Sequence, residues 1–459
     1  MSYYDSILNT KEKLNQVGNG FCLMKWQTVT LYLHMGDNHS CYHPKPRRIN
    51  LEDLKNNPSG LHNTPWKKQQ RKLMLEGGRP DECYYCWNIE NLEGDHISDR
   101  MVHSTSDYAM PDYEEIKNLP WDADWQPRHI EVSFGNKCNF KCIYCCPQAS
   151  SSWLDEMETH GDIDLSYNQY GIDFLKDTFY RPEDDNPYIK AFWDWWPQVS
   201  KTLKVLRITG GECLLNPNTF EVLERLHNEP RPDLTIHVNS NMGVKTKLVE
   251  KLSESIARLK RDNKIKDFHL FTSVESWGEK AEYIREGFNC EIWEKNVRTY
   301  LDLNPDSNIY FMCTYHNLCV RNSFRLLLDK IMQWRQEYKN EDNKVRFNFD
   351  TPYIKEPPWF LLNTLPESYI QDQKDTLEFM YNHQIKDIGW HGFSEVECEK
   401  MKRVTDVMLQ NPFRPEQIEN GRKDFYTFVN ENDKRRNRNF LNTFPEYEEF
   451  YQLCKSYHE

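Results

Sequence analysis

Strand-like and helix-like segments alternate from His129 onward, and this alternation constrains the fold more than any other feature of the chain. Six short segments have apolar residues at every second position, as half-buried strands do: Ile130–Phe134, Val205–Thr209, Thr235–Asn239, Phe268–Glu275, Ile309–Thr314 and Val345–Phe349. Longer amphipathic segments lie between them, among them Val244–Lys260, Glu279–Leu303 and Ser323–Glu337. Such alternation is typical of βαβ units and predicts an α/β fold with a parallel sheet. Six units favour a curved, incomplete barrel over a closed barrel of eight strands.

The remaining segments differ in character from this region. A length of 459 residues suggests two or three domains. Residues 1–105 hold short strand-like runs and a helical stretch, and they predict a small α+β domain. Residues 106–128 carry two Pro-containing turns and predict a connector, whereas residues 129–360 contain the alternating units. Residues 361–459 are highly charged and predict a helical C-terminal cover.

The composition excludes several classes of protein. Hydrophobic residues make up 38% of the chain and aromatic residues 14%, which is too much bulky apolar side chain for a disordered protein. The net charge of -13 argues against a broad electrostatic grip on nucleic acid. The sequence has no apolar run long enough to cross a bilayer, and its N-terminus does not resemble a secretory signal. We therefore expect a soluble, cytoplasmic protein without a membrane partner.

Polar residues stand at or just past the ends of the predicted strands. In α/β barrels the chemistry collects at the C-terminal ends of the strands. Polar side chains that point into a barrel are costly unless they bind something. The eight residues are Thr209, Asn239, Asn241, Ser273, Glu275, Thr314, Asn348 and Asp350. Together they predict a site for a polar ligand, although individual members could be structural hydrogen-bonding groups.

One group of cysteines follows the first predicted strand. In a reducing compartment, clustered thiols are more often metal ligands or catalytic groups than disulfides. Cys138, Cys142 and Cys145 lie on one tight loop, separated by three and two residues. Three thiolates on such a loop fit a cubane iron–sulfur cluster with one iron left open. A structural zinc would need a fourth ligand, for which Cys146 is the candidate.

A second group of cysteines lies near the N-terminus. It surrounds a predicted strand–turn–strand and then a helix, and its members are Cys22, Cys41, Cys83 and Cys86. The closing Cys-x2-Cys pair alone suits zinc and an iron–sulfur cluster equally well. Three nearby histidines could each replace a cysteine as ligand or be ordinary polar side chains: His39, His43 and His96.

The first cysteine loop resembles the signature of the radical S-adenosylmethionine (SAM) enzymes. That signature is Cys-x3-Cys-x2-Cys after the first strand of a partial (β/α)6 barrel, with an aromatic residue before the last cysteine, here Tyr144. The second mark of the family is Gly-Gly-Glu after the second strand, and Gly210, Gly211 and Glu212 supply it. The resemblance implies that the three cysteines hold a [4Fe-4S] cluster and that SAM binds its open iron.

The resemblance also implies residues that contact SAM. Gly210 and Gly211 would let the backbone approach the methionyl end, and Glu212 would accept a hydrogen bond from the ammonium group. Arg285, on a predicted helix, would pair with the SAM carboxylate. The other implied contacts are Tyr144, Asn239, Asn241, Ser273, Glu275 and Thr314. The chain departs from many relatives at Cys213, where those have proline.

The N-terminal cysteines resemble the twitch domain, the short form of the SPASM domain, which holds one auxiliary [4Fe-4S] cluster. In that domain a cysteine precedes a hairpin, a second follows its glycine turn, and a Cys-x2-Cys pair comes after a helix. Most relatives carry the domain after the barrel. Here it precedes the barrel, as in certain bacteriophage-encoded members. The resemblance covers roughly residues 20–100 and 128–350.

The two resemblances together imply a reaction and its partners. SAM would be cleaved reductively, with an electron from a donor such as flavodoxin or ferredoxin, and a 5′-deoxyadenosyl radical would remove a hydrogen from the substrate. The auxiliary cluster would accept the resulting electron or lie near the substrate. A peptide or protein side chain is the first substrate class, and a small polyol, sugar or nucleotide-like molecule is the alternative. A non-catalytic iron–sulfur protein is disfavoured by Glu212 and the polar residues at the strand ends.

Overall fold

The computed structural model describes residues 3–91, 96–166, 180–181, 184–338, 345–411 and 413–458. Its strands are β1 (Thr28–Tyr32), β2 (Asp37–His39), β3 (Arg47–Arg48), β4 (His129–Ser133), β5 (Lys141–Cys142), β6 (Val205–Thr209), β7 (Arg231–Ser240), β8 (Ile265–Ser273), β9 (Arg285–Glu286), β10 (Ile309–Met312) and β11 (Phe347–Asp350). Nine of them form one sheet in the order β11-β10-β8-β7-β6-β4-β1-β2-β3, and β5 pairs with β9 separately.

The centre of the large sheet is parallel, as the alternation predicts. β4, β6, β7, β8, β10 and β11 run in the same direction, and each pairs with the next strand of the series. β2 and β3 add two antiparallel strands at one edge. The mixed α/β architecture with a parallel central sheet is that of the predicted fold class.

The N-terminal segment contributes directly to this sheet. β1 pairs in parallel with β4, in a register that aligns Thr28 with His129 and Tyr32 with Ser133. The large sheet therefore contains strands from both sides of the connector predicted at residues 106–128. The connector itself contains the short helix Tyr113–Lys117. The cysteines of residues 1–105 are thus anchored to the edge of the parallel sheet.

Helices cover the sheet and form the C-terminal region. Those of four or more residues are Tyr3–Val17, Met24–Gln27, Leu51–Leu54, Pro65–Leu75, Tyr84–Glu90, Asp99–Ser104, Tyr113–Lys117, Ser151–His160, Pro187–Val199, Pro217–Asn228, Thr246–Arg261, Glu279–Ile284, Cys290–Leu303, Ser323–Glu337, Tyr369–Asn382, Ile385–Ile388, Glu395–Gln410, Pro415–Arg436, Phe440–Thr443 and Glu448–His458. Within the described ranges, every helix is too short or too polar to span a bilayer.

One predicted helix is interrupted. Glu279–Leu303 was expected to be continuous, but it divides into two helices with β9 between them. Gly287, with a φ of 99°, follows β9 and allows the chain to turn where a residue with a side chain would be strained. Arg285 therefore lies in a short strand and not on a helix.

The two faces of the parallel sheet differ in polarity. Residues of one face are fully buried apolar side chains beneath the covering helices, for example Ile208, Val238, Leu270 and Phe311. The alternate residues are only half-buried, as the burial patterns of β6, β7 and β8 show. We call this second side the polar face.

The C-terminal helices pack around the cysteine loop. Phe428 of Pro415–Arg436 lies 6.1 Å, ring centre to ring centre, from Trp153 in the helix that follows the loop. Phe428 and Trp153 also line, with Cys145, a cavity of about 20 Å³. The C-terminal region thus covers one side of this loop.

Candidate functional site

The loop after β4 places three thiols within electrostatic reach of one another. Cys142 lies in β5, where it pairs with Arg285 of β9, and Cys138 and Cys145 lie on either side of it. Burial and the nearby Cys142 together raise the pKa of Cys138 to about 12. The hydrogen bond with Cys146 and burial raise the pKa of Cys145, and Cys142 and Cys138 add to the rise. The three side chains therefore share one environment.

Gly210 and Gly211 bring the loop after β6 against the cysteine loop. The amide of Gly211 donates to the carbonyl of Gly135 (3.1 Å), and the amide of Glu212 donates to that of Lys137 (2.7 Å). A Cβ on Gly211 would lie 2.5 Å from the carbonyl oxygen of Lys137, and Gly210 has a φ of 124°. Glycine at both positions is therefore required for contact between the two loops. This requirement holds whether or not the glycines also leave room for a ligand.

Glu212 connects this loop to the end of β7. Its carboxylate accepts hydrogen bonds from the amide of Leu214 (2.9 Å), the hydroxyl of Ser240 (2.8 Å) and the amide of Asn241 (2.6 Å). Complete burial raises its pKa to about 7, against the effect of these donors. The side chain implied for the SAM ammonium is therefore already bonded by the protein.

Glu275 and Arg285 bond to each other. The Nη2 atom of Arg285 lies 2.5 Å from Oε2 of Glu275, and both side chains are almost fully buried. Nη1 of Arg285 lies 3.6 Å from Sγ of Cys142. The resemblance implies that Arg285 pairs with the SAM carboxylate and that Glu275 also contacts SAM. In the structure the two side chains instead form one ion pair beside Cys142.

Tyr144 joins the same group of side chains. Its hydroxyl donates to Oε2 of Glu275 (3.3 Å), and its ring centre lies 5.4 Å from that of His316. Thr314 hydrogen-bonds the Tyr144 hydroxyl. Burial lowers the pKa of His316 to about 3, so its imidazole is neutral at neutral pH. Tyr144, Thr314 and Glu275 thus meet near the cysteine loop.

The other predicted polar residues occupy several places. Asn241 donates to Asn139 (2.9 Å) and lies 3.9 Å from Sγ of Cys138. Asp350 pairs with Lys400 of the C-terminal region (3.0 Å). Ser273 and Asn348 are half-buried on the polar face. Cys213 is buried and donates to the carbonyl of Ile208 (3.4 Å).

In-register residues form two rows across the polar face. The lower row consists of Glu131, Arg207, His237 and His269. The upper row consists of Ser133, Thr209, Asn239, Phe271, Tyr310 and Asn348. Sequence reasoning selected only Thr209, Asn239 and Asn348 from these rows. The same alternation, followed down each strand from its end, would have identified the others.

The N-terminal cysteines surround one cavity. Cys22, Cys41, Cys83 and Cys86 all line a space of about 30 Å³. Buried cations stand beside it: Lys25 forms an ion pair with Glu82, and Arg100 pairs with Glu90 (2.7 Å). Burial opposes the charged form of Lys25, but the neighbouring Cys83 and Glu82 raise its pKa. Burial raises the pKa of the Cys22, Cys41 and Cys83 thiols, and the positive charge of Lys25 opposes that rise.

The three histidines near these cysteines have different surroundings. His43 lines the cavity, donates to the carboxylate of Asp99 (2.7 Å) and stacks on Tyr85 with ring centres 3.8 Å apart. His39 bonds the carbonyl of Cys41 through its ring. His96 has an interaction of its own and, among the described residues, is not part of the cavity lining.

Two aromatic residues connect the cysteine cavity to the parallel sheet. Tyr42 follows Cys41, and its hydroxyl hydrogen-bonds Arg207 near Glu131 of the polar face. Tyr85 contacts Lys355, which follows β11 and lies 5.3 Å from the ring centre. β11 and the N-terminal strands lie at opposite edges of the sheet. The segment beyond β11 nevertheless contacts the N-terminal segment, through Lys355 and Tyr85.

Both cysteine groups supply the kind of thiol donors that an iron–sulfur cluster needs. Within the described part of the chain, no three His, Cys, Asp or Glu side chains are arranged as ligands of one metal ion. A cubane makes a different demand, because each of its thiolates binds a different iron. The loop supplies three thiols and the cavity four, and cations lie beside both sets, at Arg285, Lys25 and Arg100.

Comparisons with known proteins give distant relatives. The chain is 29% identical to a GTP 3′,8-cyclase of Nautilia profundicola over 135 residues, which is 29% of this chain and 33% of the relative. A GTP 3′,8-cyclase of Aliarcobacter butzleri is 28% identical over the same shares. The radical SAM cyclopropyl synthase TigE of Paramaledivibacter caminithermalis is 22% identical over 232 residues, 50% of this chain and 43% of the relative.

These matches are partial. The chain spans less than half the length of each of these relatives, with 33% and 43% covered in the first and third. No protein-family model matches the chain, and no solved structure does. The similarity supports a radical SAM enzyme and hence a [4Fe-4S] cluster with SAM as cofactors.

Proposed function

We propose that this chain reductively cleaves SAM at a [4Fe-4S] cluster held by Cys138, Cys142 and Cys145, and abstracts a hydrogen from a peptide or protein side chain. Cys22, Cys41, Cys83 and Cys86, in a twitch-like domain, would hold a second [4Fe-4S] cluster, which would supply an acceptor for the substrate's electron. When bound, the first cluster supplies the electron that breaks the sulfonium C–S bond. The external electron comes from a small donor such as flavodoxin or ferredoxin.

The convergence of the four N-terminal cysteines carries the finer part of this proposal. They are separated by up to 64 positions in the chain and yet line one cavity of about 30 Å³. Tyr42, next to Cys41, extends from there to Arg207 on the polar face. An electron acceptor held at this cavity would therefore lie next to a substrate that is bound on the polar face.

The chain's own residues would hold the reactants and exclude water. Glu212 fixes the loop after β6 to the end of β7, and Arg285 holds a positive charge beside Cys142. Phe428 and Trp153 cover the loop near Cys145. Shielding of this kind suits a radical that would otherwise react with solvent or protein.

A small polyol, sugar or nucleotide-like substrate is the second candidate. Two of the relatives described above are named for a reaction of GTP. The polar face carries hydrogen-bonding groups that would suit such a molecule, including Asn239 and Thr209.

Iron content and SAM cleavage test the proposal. The anaerobically reconstituted full chain should hold about eight irons, four in each cubane. Replacement of Cys138, Cys142 and Cys145 by Ala should remove about half of the iron and all formation of 5′-deoxyadenosine. Cys83→Ala with Cys86→Ala should remove the other half. Cys290→Ala, a half-buried cysteine outside both groups, is the control and should leave both quantities unchanged.

A triple variant that still forms 5′-deoxyadenosine would refute the assignment of the loop. Full iron retention after loss of Cys83 and Cys86 would refute the auxiliary cluster and leave the first assignment intact.

A further inference from the structure

Four aromatic side chains lie together on the polar face. His237, His269, Phe271 and Tyr310, which we call the ring wall, come from three neighbouring strands, β7, β8 and β10. The ring centres of His237 and His269 are 4.8 Å apart, and those of Phe271 and Tyr310 are 5.1 Å apart. His269 also approaches Tyr310 at 5.3 Å. The four rings therefore form one continuous surface.

This surface is not sealed by the protein. Each of the four side chains is half-buried, whereas their neighbours on the opposite face, such as Val238, Leu270 and Phe311, are fully buried. Burial lowers the pKa of His237 to about 3, with His269 adding to the effect, so the His237 ring is uncharged at neutral pH. A partly exposed aromatic surface offers offset-stacked or edge-to-face contacts to a further ring.

Arg207 provides a polar anchor at the side of the ring wall. Its guanidinium lies 5.0 Å from the ring centre of Phe271, and Nε donates to Asn239 (3.1 Å). The carboxylate of Glu131 is no nearer than 3.9 Å, so this ion pair is loose. The hydroxyl of Tyr42 also hydrogen-bonds this guanidinium. A guanidinium has five N–H donors in a fork, and those not used by Asn239 and Tyr42 can serve a ligand with an acceptor oxygen or nitrogen.

We propose that the polar face binds a planar aromatic ring that carries a hydrogen-bond acceptor, with the ring on the ring wall and the acceptor on Arg207. The inference deepens the proposed function, because it gives the chemical class of the substrate. Two sources share this chemistry: an aromatic amino-acid side chain with its neighbouring amide, and a purine base.

The charge of the polar face limits what the ligand can carry. Among the ten residues of the two in-register rows, Arg207 is the one arginine or lysine. A triphosphate would need several cations or backbone donors to balance its charge. Ring recognition through Arg207 therefore favours an uncharged ligand or one with a single negative charge.

Binding of small probes to the reconstituted full chain tests this inference. The probes are N-acetyl-L-tyrosinamide, N-acetyl-L-cyclohexylalaninamide and guanosine, titrated by saturation-transfer NMR. The first two share the same amides and differ in whether the ring is aromatic. We expect an aromatic probe to bind about two- to tenfold more tightly than the cyclohexyl probe. Whichever of the tyrosinamide and guanosine binds identifies the source of the ring.

Variants assign the preference to the named residues. Phe271→Leu combined with Tyr310→Leu keeps an apolar surface and should abolish the aromatic preference. Arg207→Gln should weaken every probe by about tenfold, because one charge-assisted hydrogen bond is lost. Tyr457→Leu, an exposed ring on the last helix, is the matched control and should change neither quantity.

Equal binding of the aromatic and cyclohexyl probes to the native chain would overturn the inference, and so would a preference that survives in the double variant. The aromatic preference is the ratio of the affinities of two probes for the same sample. Partial unfolding of a variant lowers both affinities and therefore leaves the ratio unchanged. No turnover is needed. A chain that binds the ring without cleaving SAM would refute the proposed function alone, and a chain that cleaves SAM without ring preference would refute this inference alone.

Discussion

Arg285 and Glu275 form a buried ion pair, in which Nη2 of Arg285 lies 2.5 Å from Oε2 of Glu275. The pair ties β9 to the chain just beyond β8 and holds a guanidinium 3.6 Å from Sγ of Cys142. Burial raises the pKa of Glu275, and Arg285 opposes that rise. The cysteine loop therefore depends on an interaction between residues outside it.

Removal of one charge from this pair should destabilise the chain strongly. Glu275→Gln leaves Arg285 buried without its counter-charge, and we expect the free energy of unfolding to fall by about 3–5 kcal/mol. Urea denaturation of the apoprotein under reducing conditions measures it. The control is Glu337→Gln, which removes a half-exposed partner of Arg298 and should cost less than about 1 kcal/mol. A similar cost for both variants would contradict the role given to the buried pair.

The ionisation of Glu212 should make stability depend on pH. Its pKa is raised from 4.5 to about 7 in the folded chain, so the folded state holds the proton more tightly than the unfolded state. This contribution is fully present below pH 4.5 and is lost as the pH rises through 7. The loss amounts to about 3 kcal/mol.

The Glu212→Gln variant isolates that contribution. Between pH 4.5 and 7.5 the unfolding free energy of the variant should not show the decline that Glu212 causes in the native chain. A difference between the two proteins that is the same at every pH does not affect this comparison. Urea denaturation of the two proteins at several pH values gives the comparison. Parallel pH profiles would show that Glu212 is not protonated more readily in the folded state.

A methyl group on Gly211 should disrupt the cysteine loop. The new Cβ would lie 2.5 Å from the carbonyl of Lys137 and 2.6 Å from that of Asn136, so the two loops must separate. We expect Gly211→Ala to lower the unfolding free energy by about 1–3 kcal/mol and to reduce iron bound at the loop.

Gly135→Ala is the matched control for this prediction. It lies in the same loop, but its Cβ would meet only the flexible side chain of Asn216 at 3.1 Å. Thermal unfolding and iron content of the two variants should therefore differ clearly. Equal retention of iron would mean that the contact between the loops is not needed for the site.

The parallel strands should not fold well without the N-terminal segment. A fragment of residues 106–459 loses β1 and thereby exposes the edge of β4 along five paired positions. Open strand edges promote association between chains. We expect the fragment to aggregate on size-exclusion chromatography under conditions that keep the full chain soluble. A monomeric, cooperatively folding fragment would show that residues 1–105 are a separable unit.

Local patterns predicted much of the parallel sheet. β6 coincides with the predicted Val205–Thr209, and the helix Ser323–Glu337 has its predicted bounds, because alternation and amphipathic period act over a few residues. The predicted helix Glu279–Leu303 was wrong over residues 285–289, which form β9 and the turn after it. Gly287 was the available signal, but the pairing of β9 with β5 involves residues more than 140 positions away.

The side-chain partners at the site were harder to predict than the strands. The sequence indicated Glu275 as a polar residue near a strand end, and the family resemblance implied Glu212 and Arg285 as contacts of SAM. Their bonds to Ser240, to each other and to Cys142 depend on how three loops meet. The pairing of β1 with β4 is likewise a tertiary contact with no local signature.

The electron paramagnetic resonance spectrum of the reduced protein, with and without SAM, tests the central claim most directly. The sample is the Cys83→Ala, Cys86→Ala variant, in which only the cluster of Cys138, Cys142 and Cys145 should remain. The account predicts a [4Fe-4S] signal that shifts when SAM is added, because one iron lacks a protein ligand. A signal that is absent, or present but unchanged by SAM, would contradict it.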